Sequence, residues 1–437
     1  MTPATEFSEA KTRGRWRKNY RLGEGCSIKH GFAFKGALMT TDGSEELPIV
    51  VNIVNFQYTG GFRFETTKIQ RYAGPFPDEY ILKPGSVLVV MTCQTPKGEI
   101  LGVPGRIPRD RHKYLHNQRL GLACVKDPSA VDLDYLYYLF LSPRFNAHLF
   151  GTATGAKILH TAPSRIEDYR LDCPPAAVQR KIAAILAAYD NLIENNTRRI
   201  RILEEMAQAI YREWFVHFRF PSHKKVKMVN SPFGPIPEGW APNCLGDLAE
   251  EIRRSVQPAE VDPNTPYVGL EHIPRKSIAL TEWAAASQVR STKLAFKQGE
   301  ILFGKIRPYF HKVVVAPLDG VCSSDTIVIR PKRLDGFGLV LACVSSEPFV
   351  SHATQTSQGT KMPRANWDVL LKYPVPTPPD SLLAEFNERM GETVNLIQNL
   401  VFQVRNLRRT RDLLLPRLIS GELDVSDLDI NVGDAAA

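Results

Sequence analysis

The sequence has no C-x-x-C pair. Its seven cysteines stand apart, and such an odd, scattered set argues for reduced thiols in a cytoplasm and against a zinc site. It has no apolar run of membrane-spanning length, and the opening MTPATEFSEAKTRGRWRK lacks the apolar core of a signal peptide. A P-loop is also missing, because Thr154-Gly155-Ala156-Lys157 is only a fragment of G-x-x-x-x-G-K-[ST]. Asp172-Cys173-Pro174-Pro175 looks like the Asn/Asp-Pro-Pro-aromatic motif of methyltransferases that act on base amino groups. It carries Cys where that motif needs Pro and Ala176 where the aromatic should stand. Its counterpart Thr377-Pro378-Pro379-Asp380 lacks the acid, so helix termination explains both better. Pro77-Asp78 could begin a nuclease metal site, but Tyr80-Ile81-Leu82-Lys83 supplies no further acid. No His/Cys/carboxylate cluster has metal-ligand spacing, so no metal is expected. A chain of 437 residues without a recognisable active site points to binding or scaffolding.

Charge is lopsided. Against 46 acidic residues stand 55 Lys and Arg, a net +9, which is compatible with a nucleic-acid partner but equally with a merely basic soluble protein. The length suffices for two to four domains.

From Ala176 to Phe220 there is neither glycine nor proline. Ile182, Ile185, Tyr189, Leu192, Asn196, Ile200, Leu203, Ala207, Ile210 and Trp214 step by threes and fours, the seam of a long helix packed on another helix. Two consecutive fours around Asn196 predict a stutter. Pro174-Pro175 precede this helix and Pro221 is expected to end it. A second such run follows Pro378-Pro379. In it Leu383, Phe386, Met390, Val394, Ile397, Val401, Val404, Leu407, Leu414 and Leu418 form the stripe, and Arg411 fills one place in the seam. Pro416 is expected to kink or end this helix, and Gly421 is a stop. The first dozen residues and the tail from 423 onward read as loose.

The sequence repeats itself. Gly155-Ala156-Lys157 returns as Gly359-Thr360-Lys361, 204 residues on, and the same offset joins Ser142 to Ser346, Phe145 to Phe349 and His148 to His352. It also joins Thr152 to Thr356, Tyr169 to Tyr373 and Pro174-Pro175 to Pro378-Pro379. The expected fold class is α+β: two mixed α/β domains separated by two long antiparallel helices, a coiled-coil spacer, with a pseudo-twofold internal repeat. The expected boundaries are a first domain over 1–175, a first helix over 176–220 and a linker over 221–236. A second domain follows over 237–377, a second helix over 378–422 and a disordered tail over 423–437.

Three stretches resemble the specificity (S) subunits of type I restriction–modification systems: DNLIENNTRRIRILEEMAQAIYREWFVHFRF (Asp190–Phe220), PIPEGW (Pro235–Trp240) and TRDLLLPRLISGELDV (Thr410–Val425). The duplication and the missing catalytic motifs fit that family. The resemblance implies a non-catalytic subunit with two target-recognition domains, each reading one half of a split, asymmetric double-stranded DNA site. The helices would set the gap and dock two modification (methyltransferase) subunits, which restriction subunits join. S-adenosylmethionine, ATP and Mg would belong to those partners, none to this chain, in the cytoplasm of a bacterial or archaeal cell. An enzyme with an unrecognised site and a helical scaffold with no DNA role are the rival readings.

Candidate DNA contacts are Arg106, Arg109, Arg111, Lys113, Gln118 and Arg119 in the first domain, and Lys305, Arg307, Tyr309, His311 and Lys312 in the second. Arg and Lys neutralise phosphates or pair with guanine, and Gln suits adenine. Lys157 and Lys361 join them, because each follows a glycine in a Thr-rich turn that can approach phosphate closely. The alternative for each is a solvated, charged loop. For docking partner subunits the candidates are Trp214, Phe215, Phe218, Leu413, Leu414 and Leu415, since three aromatics in five residues exceed what a two-helix seam covers. The alternative there is packing against the chain's own domains.

Overall fold

A computed structural model of the chain describes residues 16–41, 45–62, 64 and 69–432. The loose N-terminal dozen and residues 433–437 of the expected tail lie outside the described residues. The chain divides into two compact units, Met1–Asp190 with Arg409–Ala437, and Asn191–Arg408.

Each unit is mixed α/β, and the two are built alike. In the first, an antiparallel sheet orders Cys26–His30, Leu120–Val125, Val87–Val90 and Pro104–Arg106. Val87 to Val90 are buried on both faces, so the strand reads as a continuous apolar run without alternation. A five-stranded sheet orders Met39–Thr40, Arg71–Tyr72, Ile49–Val51, Tyr114–His116 and Ile81–Leu82, with Tyr114–His116 parallel to Ile49–Val51. The second unit repeats this with Ala249–Glu251, Thr326–Pro331, Ile301–Gly304 and Val313–Val315 in its four-stranded sheet. Its five-stranded sheet again has one parallel pair, Pro266–Val268 beside Gly320–Cys322.

Residues 204 apart occupy the same places. Ser142 caps the helix Pro143–Thr152 by accepting from the Phe145 N–H, and Ser346 caps Glu347–Gln355 by accepting from the Phe349 N–H. Phe145 and Phe349 are both fully buried. The His148 ring lies 5.2 Å from Tyr169, and the His352 ring 5.2 Å from Tyr373. Both histidines therefore pack on a tyrosine from equivalent positions in their helices.

The first long helix is α-helical over Ala176–Tyr211 and then opens into a π turn, Arg212–Val216. It ends short of Pro221. The wider turn lets two adjacent aromatics, Trp214 and Phe215, both face inward, at 8% and 6% exposure. The seam also differs from the expected one. Leu192 is exposed and Ile193 is buried, so Tyr189, Ile193, Asn196 and Ile200 step four, three, four with no stutter there. Two neighbouring apolar residues made the pattern ambiguous, and a regular heptad seam selects the second. The second long helix, Asp380–Ile419, contains Pro416 without ending there.

The helices run in opposite directions in both units. In the second unit Asn196 Nδ2 donates to Gln403 Oε1 at 3.1 Å, and Phe215 packs on Phe386 with ring centroids 4.6 Å apart. In the first unit Arg411, the odd residue in the stripe, donates to Asp190 at 2.6 Å, and the Tyr138 hydroxyl donates to the same carboxylate at 2.8 Å. Burial, reinforced by that carboxylate, keeps the Tyr138 phenol protonated far above its ordinary range. Asp190→Ala would strand a largely buried guanidinium. The expected cost is about 3 kcal/mol, the low end for a broken buried pair because Asp412 remains as a partner. The double variant Asp190→Leu/Arg411→Leu should regain most of it. Thermal melts of the two variants check this.

Two expected boundaries change. The linker over 221–236 holds a hairpin, Met228–Ser231 against Gly234–Pro237, with Gly234 at φ 98° in its turn. Residues 423–432 of the expected disordered tail pack: Val425 is buried, and Lys181 Nζ donates to the carbonyls of Ser426 and Leu428, each at 2.7 Å. Their few apolar residues find a ready-made core, which composition does not reveal.

Candidate nucleic-acid interface

In the first unit, strands Ile49–Val51 and Tyr114–His116 run parallel and so finish at the same end. After them come Asn52 and the Asn117–Arg119 turn. The strand Thr92–Cys93 pairs with Leu159–His160 and delivers Gln94 beside the turn that carries Lys157. Gly155 in that turn has φ 102°, and a Cβ there would fall 2.1 Å from the Ile158 carbonyl oxygen, so glycine is required. Gln118, Arg119 and Lys157 are exposed at this end.

Arg109, Arg111 and Lys113 precede Tyr114 and lie toward the other end of that strand, and Arg106, opposite Val87 on strand Pro104–Arg106, lies at the end of its own sheet away from Gln94. Two of them are already engaged. Arg106 pairs with Asp134 at 2.7 Å and sits 5.4 Å from the Tyr137 ring centroid, and Arg111 pairs with Glu45 at 2.6 Å. The basic stretch that looked continuous in sequence is thus split across the domain.

In the second unit the loop after Ile301–Gly304 and the Lys361 turn come together. The Arg307 N–H donates to the Pro363 carbonyl at 2.7 Å, and Arg307 Nη2 donates to the Lys361 carbonyl at 3.4 Å. Arg307 and His311 bracket a tight turn with φ of 49° and 51°, a left-handed backbone that non-glycine residues rarely hold. This places Lys305, Arg307, half-exposed Tyr309 and exposed Lys361 on one surface.

His311 and Lys312 do not belong to that surface, which corrects the expectation for both. The His311 ring is buried, with Nε2 2.8 Å from the Ser345 carbonyl oxygen. Lys312 donates inward to the Leu270 carbonyl, and burial, helped by the Arg275 cation, pushes its ammonium below the usual lysine range. A turn this tight points successive residues to opposite sides, so a basic run cannot all face outward.

The partner-docking set is corrected as well. Trp214 and Phe215 sit in the second unit's own core, and the half-buried Phe218 stacks edge-on against Trp240, 5.4 Å between ring centroids. Leu415 is buried in the first unit's core and Leu414 packs against it. Only Leu413, at 60% exposure, stays open. Each long helix uses its last turn to close a core, which is the packing alternative raised from the sequence.

One contact escaped the sequence reading because a lone Glu on a helix carries no signal. Glu204 Oε1, within the second unit, accepts from Ser277 Oγ and from the N–H groups of Ile278 and Ala279, at 2.7, 2.8 and 3.1 Å. Burial raises its carboxyl above the ordinary 4.5, with the three donors opposing. The folded state therefore holds the proton more tightly than the unfolded chain, and stability falls as pH rises from about 4.5 through the folded value. Glu204→Gln keeps an acceptor oxygen and removes the charge. Its Tm relative to the native chain should climb over that pH range, read by thermal scans at several pH values.

Among the described residues no group of His, Cys, Asp and Glu could hold a metal ion, and no single helix is long and apolar enough to cross a membrane.

Residues 16–205 match the family model for the type I restriction modification DNA specificity domain. The type I restriction enzyme MjaIX specificity subunit of Methanocaldococcus jannaschii is 25% identical over 346 residues, covering 76% of this chain and 79% of its own. The EcoDI specificity subunit of Escherichia coli is 26% identical over 325 residues, covering 68% and 72%. The crystal structure of the type I restriction–modification S subunit from M. genitalium shares the fold, with TM-score 0.57 and 14% identity over 92% of this chain and 96% of that one. The chain is thus similar to type I restriction–modification specificity subunits over two thirds or more of its length, and residues 16–205 match their DNA specificity domain.

Proposed function

We propose that each unit reads one half of a bipartite, asymmetric duplex site, and that the two long helices set the gap between the halves. The observation that carries this is the duplication of fold without duplication of surface. The same end of the same topology presents Asn52, Gln94 and Arg119 in one unit and Lys305, Arg307 and Tyr309 in the other. Similar heads with different side chains read different bases.

The helices also dock two modification subunits, which restriction subunits join. Leu192 and Leu396 are 204 residues apart and exposed by 50% and 49%. Two equivalent apolar positions suit two identical partners. S-adenosylmethionine, ATP and Mg act on those partners, in the cytoplasm.

The test is methylome sequencing of cells with and without this gene, with the modification gene expressed. A bipartite motif whose methylation disappears with the gene is the expected result. An unchanged methylome would refute the proposal.

A further inference from the structure

We propose that Gln70, Gln94 and Arg119, with Asn52 holding Gln70 in place and Val54 beside them, form the base-reading surface of the first unit. This rests on the function proposed above. The five residues come from four separate segments and line one open depression.

The hydrogen bonding sorts this cluster from the other polar residues nearby. Asn52 Nδ2 donates to Gln70 Oε1 at 2.6 Å and to the Val50 carbonyl at 3.4 Å. With its side-chain carbonyl oxygen engaged by Asn52, Gln70 keeps its amide N–H₂ as the remaining donor among these residues. The side chains of Gln94 and Arg119 have no hydrogen-bond or ion-pair partner among the described residues. Arg106 and Arg111, at the opposite end, both have one. Base edges are read by groups that fold with their hydrogen-bonding capacity unspent, because an engaged group must first break a bond.

The chemistry of the set matches a purine-containing half-site. An arginine fork pairs with O6 and N7 of guanine, an amide with both ends free, as in Gln94, pairs with N6 and N7 of adenine, and the Gln70 N–H₂ suits a base acceptor. Val54, 58% exposed at the rim, supplies apolar contact for a thymine methyl. The Asn52–Gln70 bond holds one amide in place before DNA arrives, which lowers the ordering cost of binding.

The experiment expresses the full chain with its modification subunit, with the single substitutions Arg119→Ala, Gln70→Ala and Gln94→Ala, and maps methylated motifs. Each variant should make one position of the first half-site degenerate, by on the order of tenfold to a hundredfold in discrimination, with the second half-site unchanged. Arg111→Ala should leave the motif as it is. A bystander phosphate contact behaves differently, lowering methylation at all sites alike and more so at higher salt. Unchanged motifs in all three variants, or relaxation confined to the second half-site, would overturn the assignment. If the native chain directs no bipartite motif at all, the functional reading falls and takes this assignment with it. Should Arg119→Ala fail to accumulate, the two glutamine variants, checked by thermal melting, decide the matter.

Discussion

Inserting one heptad into each long helix, after Asn191 and after Arg408, is expected to widen the gap in the recognised DNA motif by about three base pairs. Seven helical residues add roughly 10 Å, and a base pair rises about 3.4 Å. Both half-site sequences should stay the same, because the proposed reading surfaces lie on loops of the two units. The placement follows from tertiary contacts. It keeps Arg411 opposite Asp190 and Gln403 opposite Asn196. Insertions chosen only for repeat equivalence, such as after Ala188 and after Glu392, do not face each other across antiparallel helices. They would slide the seam between them by a heptad and part Asn196 from Gln403. Methylome sequencing with the altered subunit reads the outcome. A change in which bases are methylated, at constant spacing, would put recognition in the helices and sink the proposed division of labour.

Ending the chain at Arg408 is expected to unfold the first unit while the second keeps its cooperative transition. Leu415, Leu418, Ile419 and Val425 contribute to the first unit's core, with Leu418 fully buried. At about 1.5–3 kcal/mol each, their burial is on the order of 6–12 kcal/mol, comparable to the whole stability of a domain. Gly421, at φ 71°, lies so close under Trp16 that a Cβ would come within 2.6 Å of the indole, and losing this segment uncovers that ring too. Limited proteolysis should degrade the first unit's strands and leave a core within 191–408. Two undiminished melting transitions in the shortened chain would contradict the packing described here. The milder Leu418→Ala should cost about 2–5 kcal/mol in the same unit.

Much of this protein was legible in sequence because a duplicated fold repeats its spacing. Ser142 and Ser346 cap equivalent helices, and Gly155 and Gly359 both stand at positive φ in equivalent turns. The two long helices followed from unbroken runs with three-four periodicity, where local propensity and packing agree. The missing catalytic motifs and the family likeness pointed the same way.

Periodicity, however, records that a side chain is buried and not what buries it. Trp214, Phe215 and Leu415 looked like surplus apolar surface for partner subunits, yet each closes a core of this chain, because the antiparallel course brings a helix end to a domain distant in sequence. Leu192 and Ile193 could not be ranked until the facing helix was in place. A run of basic residues also does not share a direction: Arg111 and Arg119 end on opposite sides of one short strand, and His311 turns inward beside Tyr309. Asn52, Gln70 and Gln94 are ordinary amides in sequence. Only the sheet, by joining strands dozens of residues apart, sets them around one depression. The sequence by itself determined the repeat, the helices and the family likeness. The tertiary structure decided which side chains face water with their hydrogen bonds unspent, because that depends on neighbours brought together by the sheet and the helix seam.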